Sequence, residues 1–594
     1  MADKICSVYF YDPQVKCRLC STELSYATRN TSSMLRHYKA RHEREDNTPG
    51  MDTGGLLFCN LSLIIMEANY ILNQTVFFFL LQASRKQALN RCIINMIIKD
   101  CQPLSIVEDE GFREMLQTLE PSYAIPTRKA LKEMVSERYA AETQNIKEKL
   151  HSTNAISLTA DMWTSVNMEA YLAVTGHFFD TENKMCTTVL GVKYFPKSHT
   201  AENIAEVTQD LIDSWAITGK VARFVTDAGA NMIASARLLK IGHSPCIAHT
   251  LNLIVKKSCD QVSDLTDIRH KTKNIVTYFR SSTLAKEKLS HVQQQMQKPI
   301  LKLINEVPTR WNSTYQMLSR IASQKEPVWV SLASLKTPLP ALTGEEHDII
   351  AEVLIVLAPF NAATVELSEE KRVSGSKIIP MMKMLHHTMQ KCAPSLETSV
   401  GKKLRHELDK RVTETLNNYE SSSHLSLATL LDPRFKALGF LNGTKINDAV
   451  KKLKSECAAE MRISGPPSAP QEDQPGPSSH LPASSMSDNL WQQLDMEVAR
   501  TRTSTSVVAD AMIEVQRYLS SANIPRTEDP LEYWKSQKNT YPHLFKLSQK
   551  YLSTPASSAP CERIFSKAGE IASKRRNRLS PNMLQKLLFL NKNV

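Results

Sequence analysis

The stretches Ile156-Ser-Leu-Thr-Ala-Asp-Met162, Tyr171-Leu-Ala-Val-Thr-Gly-His-Phe-Phe179 and Thr187-Thr-Val-Leu-Gly-Val-Lys-Tyr-Phe195 decide the fold. Each is rich in β-branched and aromatic residues, and turn-length polar links such as Asp180-Thr-Glu-Asn183 separate them, so three hairpin-linked strands are predicted. Ala201 to Trp215 then sets Ile204, Val207, Leu211, Ile212 and Trp215 on one helical face, and Val221 to Thr226 reads as a buried strand. Ala230 to Leu239 is a second helix, and Pro245 to Ala248 begins the next strand or turn. The order βββαβαβ specifies a mixed sheet with helices packed on its faces.

That order is the one found in ribonuclease-H-like domains, where the first and fourth strands are neighbours. Asp161 sits within the first strand and Asp227 ends the fourth, so their carboxylates are expected at one edge of the sheet. A carboxylate in an apolar strand is costly to desolvate unless it is paired or binds a cation. Paired carboxylates suit Mg²⁺, which prefers oxygen ligands; each aspartate alone would equally serve as a strand-end cap or turn residue. A two-metal phosphoryl-transfer site needs a third acid. The candidate is Glu562, in Ser557-Ser-Ala-Pro-Cys-Glu-Arg-Ile-Phe-Ser566, where Ser557 or Ser558 could cap a helix with Glu562 in its first turn. Capping-box chemistry explains the same glutamate, and spacing alone does not separate the two.

Around this core, 594 residues imply about four folding units at roughly 150 residues each. With 42% hydrophobic and 23% charged residues the composition is that of a soluble protein, which excludes collagen-like, wholly disordered and polytopic membrane classes. A net charge of +12 favours a polyanionic partner such as double-stranded DNA, with plain solubility charge as the competing reading. Twelve cysteines and no secretory leader point to a reducing compartment, where cysteines are metal ligands or core. Between Gly54 and Leu81 the sequence is apolar enough to span a bilayer. Asn60, Asn69, Asn73 and Gln74 interrupt it, so it reads as an atypical insertion, and a membrane location is not expected.

Near the start, Cys17, Cys20, His37 and His42 have two residues between the cysteines, sixteen to the first histidine and four between the histidines. That spacing suits a structural Zn²⁺ held by a knuckle and the last turns of a helix over Thr31 to His42. Arg29, Thr31, Ser32, Ser33, Arg36, Lys39 and Arg41 supply groups for phosphate and base contact. With Val8-Tyr-Phe-Tyr11 before the knuckle and Leu35-Arg-His37 closing the helix, the region resembles a BED-type zinc finger, though the usual tryptophan is absent.

Several further blocks occur in order: Ile97 to Phe112, Thr159 to Thr164, Thr226 to Met232, Pro245-Cys-Ile-Ala-His-Thr-Leu-Asn-Leu253, Pro308-Thr-Arg-Trp-Asn-Ser313, Leu430-Leu-Asp-Pro-Arg-Phe-Lys436 and Ser557 to Arg578. Together they resemble the hAT superfamily of DNA transposases and the BED-finger proteins derived from it. The resemblance implies that Asp161, Asp227 and Glu562 stand at the catalytic DDE positions, with Mg²⁺ as cofactor if the protein is active. It places Cys246 and His249 at a Cys-x-x-His motif, and Trp311 where active members stack beside transposon-end DNA; an aromatic anchor in a helical core is the alternative for Trp311. It also implies a homodimer or higher oligomer formed through the carboxy-terminal region. The apolar faces there, Tyr541, Leu544, Leu547, Tyr551, Leu552, Ile564, Leu584, Leu587, Leu588 and Leu590, would equally suit an internal core. Lys574, Arg575, Arg576 and Arg578 form a basic run open to three readings: phosphate contact, nuclear import signal or solvated helix end.

The expected layout is α/β plus α: a finger over 1–45, the insertion over 46–87, and a helical segment over 88–150. The first part of the core follows over 151–265, then a helical insertion over 266–525 with a Pro-rich disordered loop at 464–487, and a carboxy-terminal region over 526–594. The favoured function is a nuclear, zinc-dependent DNA-binding and dimerising protein acting in transcription. The alternatives are an active DDE transposase, for which enzyme activity stays open, and a relic without function.

Overall fold

The computed structural model describes residues 14–16, 22–25, 36–37, 40–41, 84–165, 168–335, 337–464, 507–571 and 579–594. The chain forms two compact units, Met1–Arg91 and Cys92–Val594. In the first, β1 (Gln14–Lys16) and β2 (Glu23–Ser25) pair antiparallel with Val15 opposite Leu24. Residues 36–37 and 40–41 are helical. Cys17, Cys20, Arg29, Ser33, Lys39, His42 and the apolar stretch 54–81 lie outside the described residues, as do the Pro-rich loop beyond Ser464 and the basic run Lys574, Arg575, Arg576 and Arg578.

The second unit begins in helix α1 (84–99), followed by α2 (Glu110–Leu119) and α3 (Arg128–His151). The Thr127 hydroxyl accepts from the Ala130 N–H at 3.2 Å and so caps α3, whose Leu131, Val135, Ile146 and Leu150 form one buried stripe. The sheet comprises β3 (Ile156–Thr164), β4 (Ala170–Phe179), β5 (Met185–Tyr194), β6 (Val221–Thr226) and β7 (His243–Pro245), in the order β5-β4-β3-β6-β7. The first three are antiparallel, and β6 runs parallel to β3 with Leu158 opposite Phe224 and Thr159 opposite Val225. This is the predicted topology; the four strands predicted between Ile156 and Thr226 agree to within two residues at either end, whereas the last strand ends at Pro245, where it was expected to begin, because Ile247 already starts a helix. Residues Tyr171–Phe179 of β4 are buried without alternation, because elements cover both faces of the sheet. Helix α4 (Ala201–Ser214) lies so close to β5 that a Cβ at Gly191 would meet Leu211 at 2.8 Å; α5 (Ala230–Leu238) joins β6 to β7.

A long helical run follows. It holds α6 (Ile247–Asp260), α7 (Ser263–Ser281), α8 (Thr283–Gln295), α9 (Trp311–Ser323), α10 (Lys325–Leu335) and α11 (Gly344–Leu367). It continues with α12 (Ile378–Cys392), α13 (Ser399–Glu420), α14 (Ser423–Leu431), α15 (Gly443–Ser464) and α16 (Val507–Ser520). Helix α11 starts in a capping box, Thr343 with Glu346. Its length and apolarity would let it cross a bilayer. Here Ile349, Val353, Val356, Phe360, Ala363 and Leu367 build the shared helical core, while Ile355 and Val365 of the same helix are exposed.

After α17 (Pro530–Gln537) and α18 (Pro542–Leu552), the chain returns to the sheet in α19 (Ala559–Ile571) and α20 (Pro581–Asn593). The rings of Phe565 and Trp163 stack, with centroids 5.9 Å apart, fixing α19 over β3. Helix α20 covers the exposed edge of β5. The Val189 N–H donates to Asn593 Oδ1 at 2.9 Å, and Asn593 Nδ2 donates to the Val189 carbonyl at 3.0 Å. One turn pair earlier, the Gln585 amide donates to the Val192 carbonyl at 3.3 Å and accepts from the Tyr194 N–H at 3.2 Å. Two side-chain amides thus take the place of a neighbouring strand and leave these edge groups satisfied. All ten apolar residues of the expected carboxy-terminal faces, Tyr541 through Leu590, are buried within this one copy.

Candidate functional site

The pairing of Thr159 with Val225 puts Asp161 and Asp227 each two residues further along, at the same end of the sheet. Helix α19 brings Glu562 to this end. Cys561, the residue before it, is buried against β3 and β4, with Sγ 3.2 Å from Thr159 Oγ1. Beneath it runs a buried polar row. Thr159 and Thr175 share a hydroxyl hydrogen bond, Thr175 Oγ1 meets His177 Nε2 at 2.9 Å, and His177 Nδ1 meets Thr187 Oγ1 at 3.1 Å. Burial lowers His177 to about 4 and raises the Cys561 thiol to about 12, so both are neutral near pH 7 and need only ordinary hydrogen-bond partners.

The entry to α19 is held by a clasp. The Cys246 N–H donates to the Thr226 carbonyl at 2.7 Å, the Ile247 N–H to the Ala556 carbonyl at 2.9 Å, and the Ser558 N–H to Cys246 Sγ at 3.3 Å. Ser374 Oγ accepts from the Ala556 N–H at 3.0 Å, and Thr554 Oγ1 meets both Ser157 Oγ and His424 Nε2 at 2.8 Å. The block containing Cys246 is visible in the sequence, but the role of its sulfur as a hydrogen-bond acceptor 312 positions away is not. Of the two serines read as possible caps, Ser558 directly precedes α19, whereas Ser557 donates its hydroxyl to the Leu367 carbonyl at 3.3 Å.

The three acids come to one end of the sheet without forming a metal site. Asp161 Oδ1 accepts from its own neighbour, the Met162 N–H, at 2.9 Å. Asp227 Oδ1 accepts from the Gly229 N–H at 3.2 Å, the turn that starts α5. Glu562 Oε2 lies 3.4 Å from Arg310 Nη2, a cation in the Pro308-Thr-Arg-Trp block whose pairing has no local signal in the sequence. Burial pushes the Asp161 carboxyl up to about 7; the Met162 N–H opposes this, and the charges of Glu562 and Asp227 add to it. Among the described residues, no group of three or more His, Cys, Asp or Glu side chains is placed to hold a metal ion. The expectation of an assembled DDE triad is therefore corrected: the carboxylates are near enough to repel, but they are tied to backbone and to arginine. As placed, the three carboxylates do not make a site for a Mg²⁺ pair.

Trp311 is the first residue of α9 and only 5% exposed; its backbone N–H donates to Asn252 Oδ1 at 2.9 Å and its ring meets Tyr315 edge-on. Its indole face belongs to the helical core and is not presented for base stacking. In the first unit, Arg36 and Arg41 are exposed and His37 is half-buried.

Residues 159–243 match the ZBED1 RNase-like domain and residues 244–354 the ZBED1 RNase-like helical domain. Residues 514–594 match the hAT family C-terminal dimerisation region, and residues 79–125 the Hermes transposase DNA-binding domain. The chain has the domain architecture of the hAT superfamily. Its similarity to individual hAT and BED-finger proteins is low but extensive. Human zinc finger BED domain-containing protein 4 is 26% identical over 84% of this chain and 43% of its own length. The putative transcriptional regulator tpeD of Talaromyces stipitatus is 23% identical over 97% of this chain and 69% of its own. The putative AC transposase of Zea mays is 25% identical over 83% and 63%. The chain thus spans between about two-fifths and two-thirds of the length of these relatives. In hAT terms, the acidic end of the sheet, the clasp and α19 form one assembly built from segments hundreds of positions apart.

Proposed function

We propose that this protein is a nuclear, dimerising DNA-binding regulator of hAT descent, in which the ribonuclease-H-like core serves as a rigid scaffold. The observation that carries this reading is the fate of Glu562: its helix is locked to the sheet by Cys561 and Phe565, yet its carboxylate faces Arg310. Scaffold contacts are kept and the acids are otherwise engaged. The DNA contact is assigned to the first unit and to the 79–125 region, which matches a transposase DNA-binding domain; the similarity to tpeD, a putative transcriptional regulator, agrees with a regulatory role.

In the first unit, Cys17, Cys20, His37 and His42 would hold one Zn²⁺. The β1–β2 pair brackets the segment containing both cysteines, and two thiolates with two imidazoles are a donor set suited to tetrahedral zinc. The metal would order the finger and supply no chemistry. Arg29, Ser33, Arg36, Lys39 and Arg41 would meet the major groove, and Lys574, Arg575, Arg576 and Arg578 would add phosphate contact or a nuclear import signal. A dimer doubles the number of base contacts and fixes half-site spacing.

The test is selection of the purified full chain against a randomised DNA pool, together with zinc stoichiometry. One Zn²⁺ per chain and enrichment of a paired motif are expected, and Cys17→Ser should lose both. An unenriched pool with wild-type protein, or Cys17→Ser with undiminished zinc, would overturn the reading.

A further inference from the structure

Because the apolar residues of α17 to α20 are consumed inside one copy, they leave little for a second copy to grip. Within 514–594 the only large hydrophobic residue among those described as exposed is Val594. Immediately before this region, on the same helix α16, the situation reverses. Val507, Val508, Met512 and Ile513 are exposed, the last by 64%, while Ala511, Val515 and Tyr518 at helical spacing face the core. The exposed residues of α16 thus include the apolar stripe Val508, Ala509, Met512 and Ile513, bordered by Gln516 and by the exposed Arg517. Helix α15, packed against α16, ends with Ile463 also exposed. Solvated helix faces of this chain look different: the exposed residues of α15 include Lys451 and Lys452, and those of α13 include Lys402, Lys403 and Lys410. A contiguous exposed apolar stripe on a helix surface marks an interaction site.

We propose that the outward face of α16, centred on Met512 and Ile513 and extended by Ile463, Val507 and Val508, is the apolar centre of the contact with a second copy of this chain. The occupant follows from continuity: the stretch matching a dimerisation region begins at Glu514, the next residue of the same helix, and among its described residues only Val594 is a large hydrophobic residue left exposed. A stable interface covers roughly 800 Å² per partner, of which a small apolar centre supplies most of the affinity and a polar rim the rest. Here that rim would be the basic and acidic residues flanking the patch, among them Asp510 and Arg517.

This inference rests on the dimer proposed above, and the experiment separates the two. The mass of the full chain is measured in solution across a dilution series, for wild type and for Met512→Glu with Ile513→Glu. Wild type is expected at twice the chain mass, and the variant at the mass of one chain, with the dimer Kd raised at least about 30-fold per substituted centre residue. Unchanged circular dichroism and melting temperature would show that the fold is intact; if the glutamates disturb it, Met512→Ser with Ile513→Ser replaces them. A folded variant that stays dimeric overturns this surface and leaves the dimer reading standing. Wild-type protein found only as single chains overturns both.

Discussion

Asp161→Asn should stabilise this protein at pH 8 and leave it unchanged at pH 4. The wild-type carboxyl is pushed up to about 7 by burial, with Glu562 and Asp227 adding to the shift, from an ordinary value of 3.8. The folded state therefore holds this proton more tightly than the unfolded state does. Below about pH 4 both states are protonated and the site costs nothing. Between about pH 4 and 7 the unfolded chain has lost the proton and the folded chain retains it, so stability falls as pH rises, levelling off above 7. A shift of about 3 units corresponds to at most roughly 4 kcal/mol; sharing among the three acids and residual hydration bring the expected penalty to about 2–4 kcal/mol. Asparagine keeps the shape and the acceptor for the Met162 N–H, and never charges. For a unit of about 500 residues, with an unfolding entropy near 1 kcal/mol per kelvin, the gain is about 2–4 °C in melting temperature at pH 8. The assay is scanning calorimetry of both proteins from pH 4 to pH 8. If asparagine destabilises at pH 8, or the difference between the proteins does not change with pH, the reasoning about this carboxyl is wrong.

Other perturbations test other parts of the molecule. Asp432 is fully buried and pairs through both oxygens with Arg434, while Ser376 Oγ donates to it at 2.6 Å. Arg434→Ala should cost about 3–5 kcal/mol by stranding that charge, and Asp432→Asn in the same chain should recover part of the loss in a urea titration. A Cβ at Gly375 would run into the Thr554 carbonyl, which is backbone and cannot swing away; Gly375→Ala should lower the melting temperature by an amount corresponding to about 1–3 kcal/mol, and an unchanged value would disprove the clasp geometry. Replacing both Gln585 and Asn593 with leucine preserves the bulk of α20 but orphans the β5 edge, so light scattering should show concentration-dependent association that wild type lacks.

Legibility followed range. The strands and the helices between them were readable because their signals are local: β-branched runs for β3 to β5, and a single apolar stripe for α4. The adjacency of β3 and β6 came from connection order. The return of α19 had no local signal, since nothing near Glu562 announces that Cys561 packs on Thr159. The expected triad failed for a reason invisible in one dimension, namely that an arginine 252 positions earlier reaches the same carboxylate and that each aspartate finds a backbone N–H close at hand. Trp311 was ambiguous because a stacking platform and a core anchor use the same residue type, and only burial distinguishes them. The carboxy-terminal apolar stripes had the same ambiguity, which the burial of all ten residues settled in favour of core.

The contact between Cys561 and Thr159 joins positions 402 residues apart. Ribosomes extend a chain at roughly 5–20 residues per second, so the newborn sheet waits about 20–80 s before its covering helices exist. Throughout that interval β5 lacks the amides of α20 and one face of β3 and β4 is bare, so the nascent polypeptide should depend on chaperone shelter. Prematurely terminated products should go to degradation instead of persisting as partially working fragments.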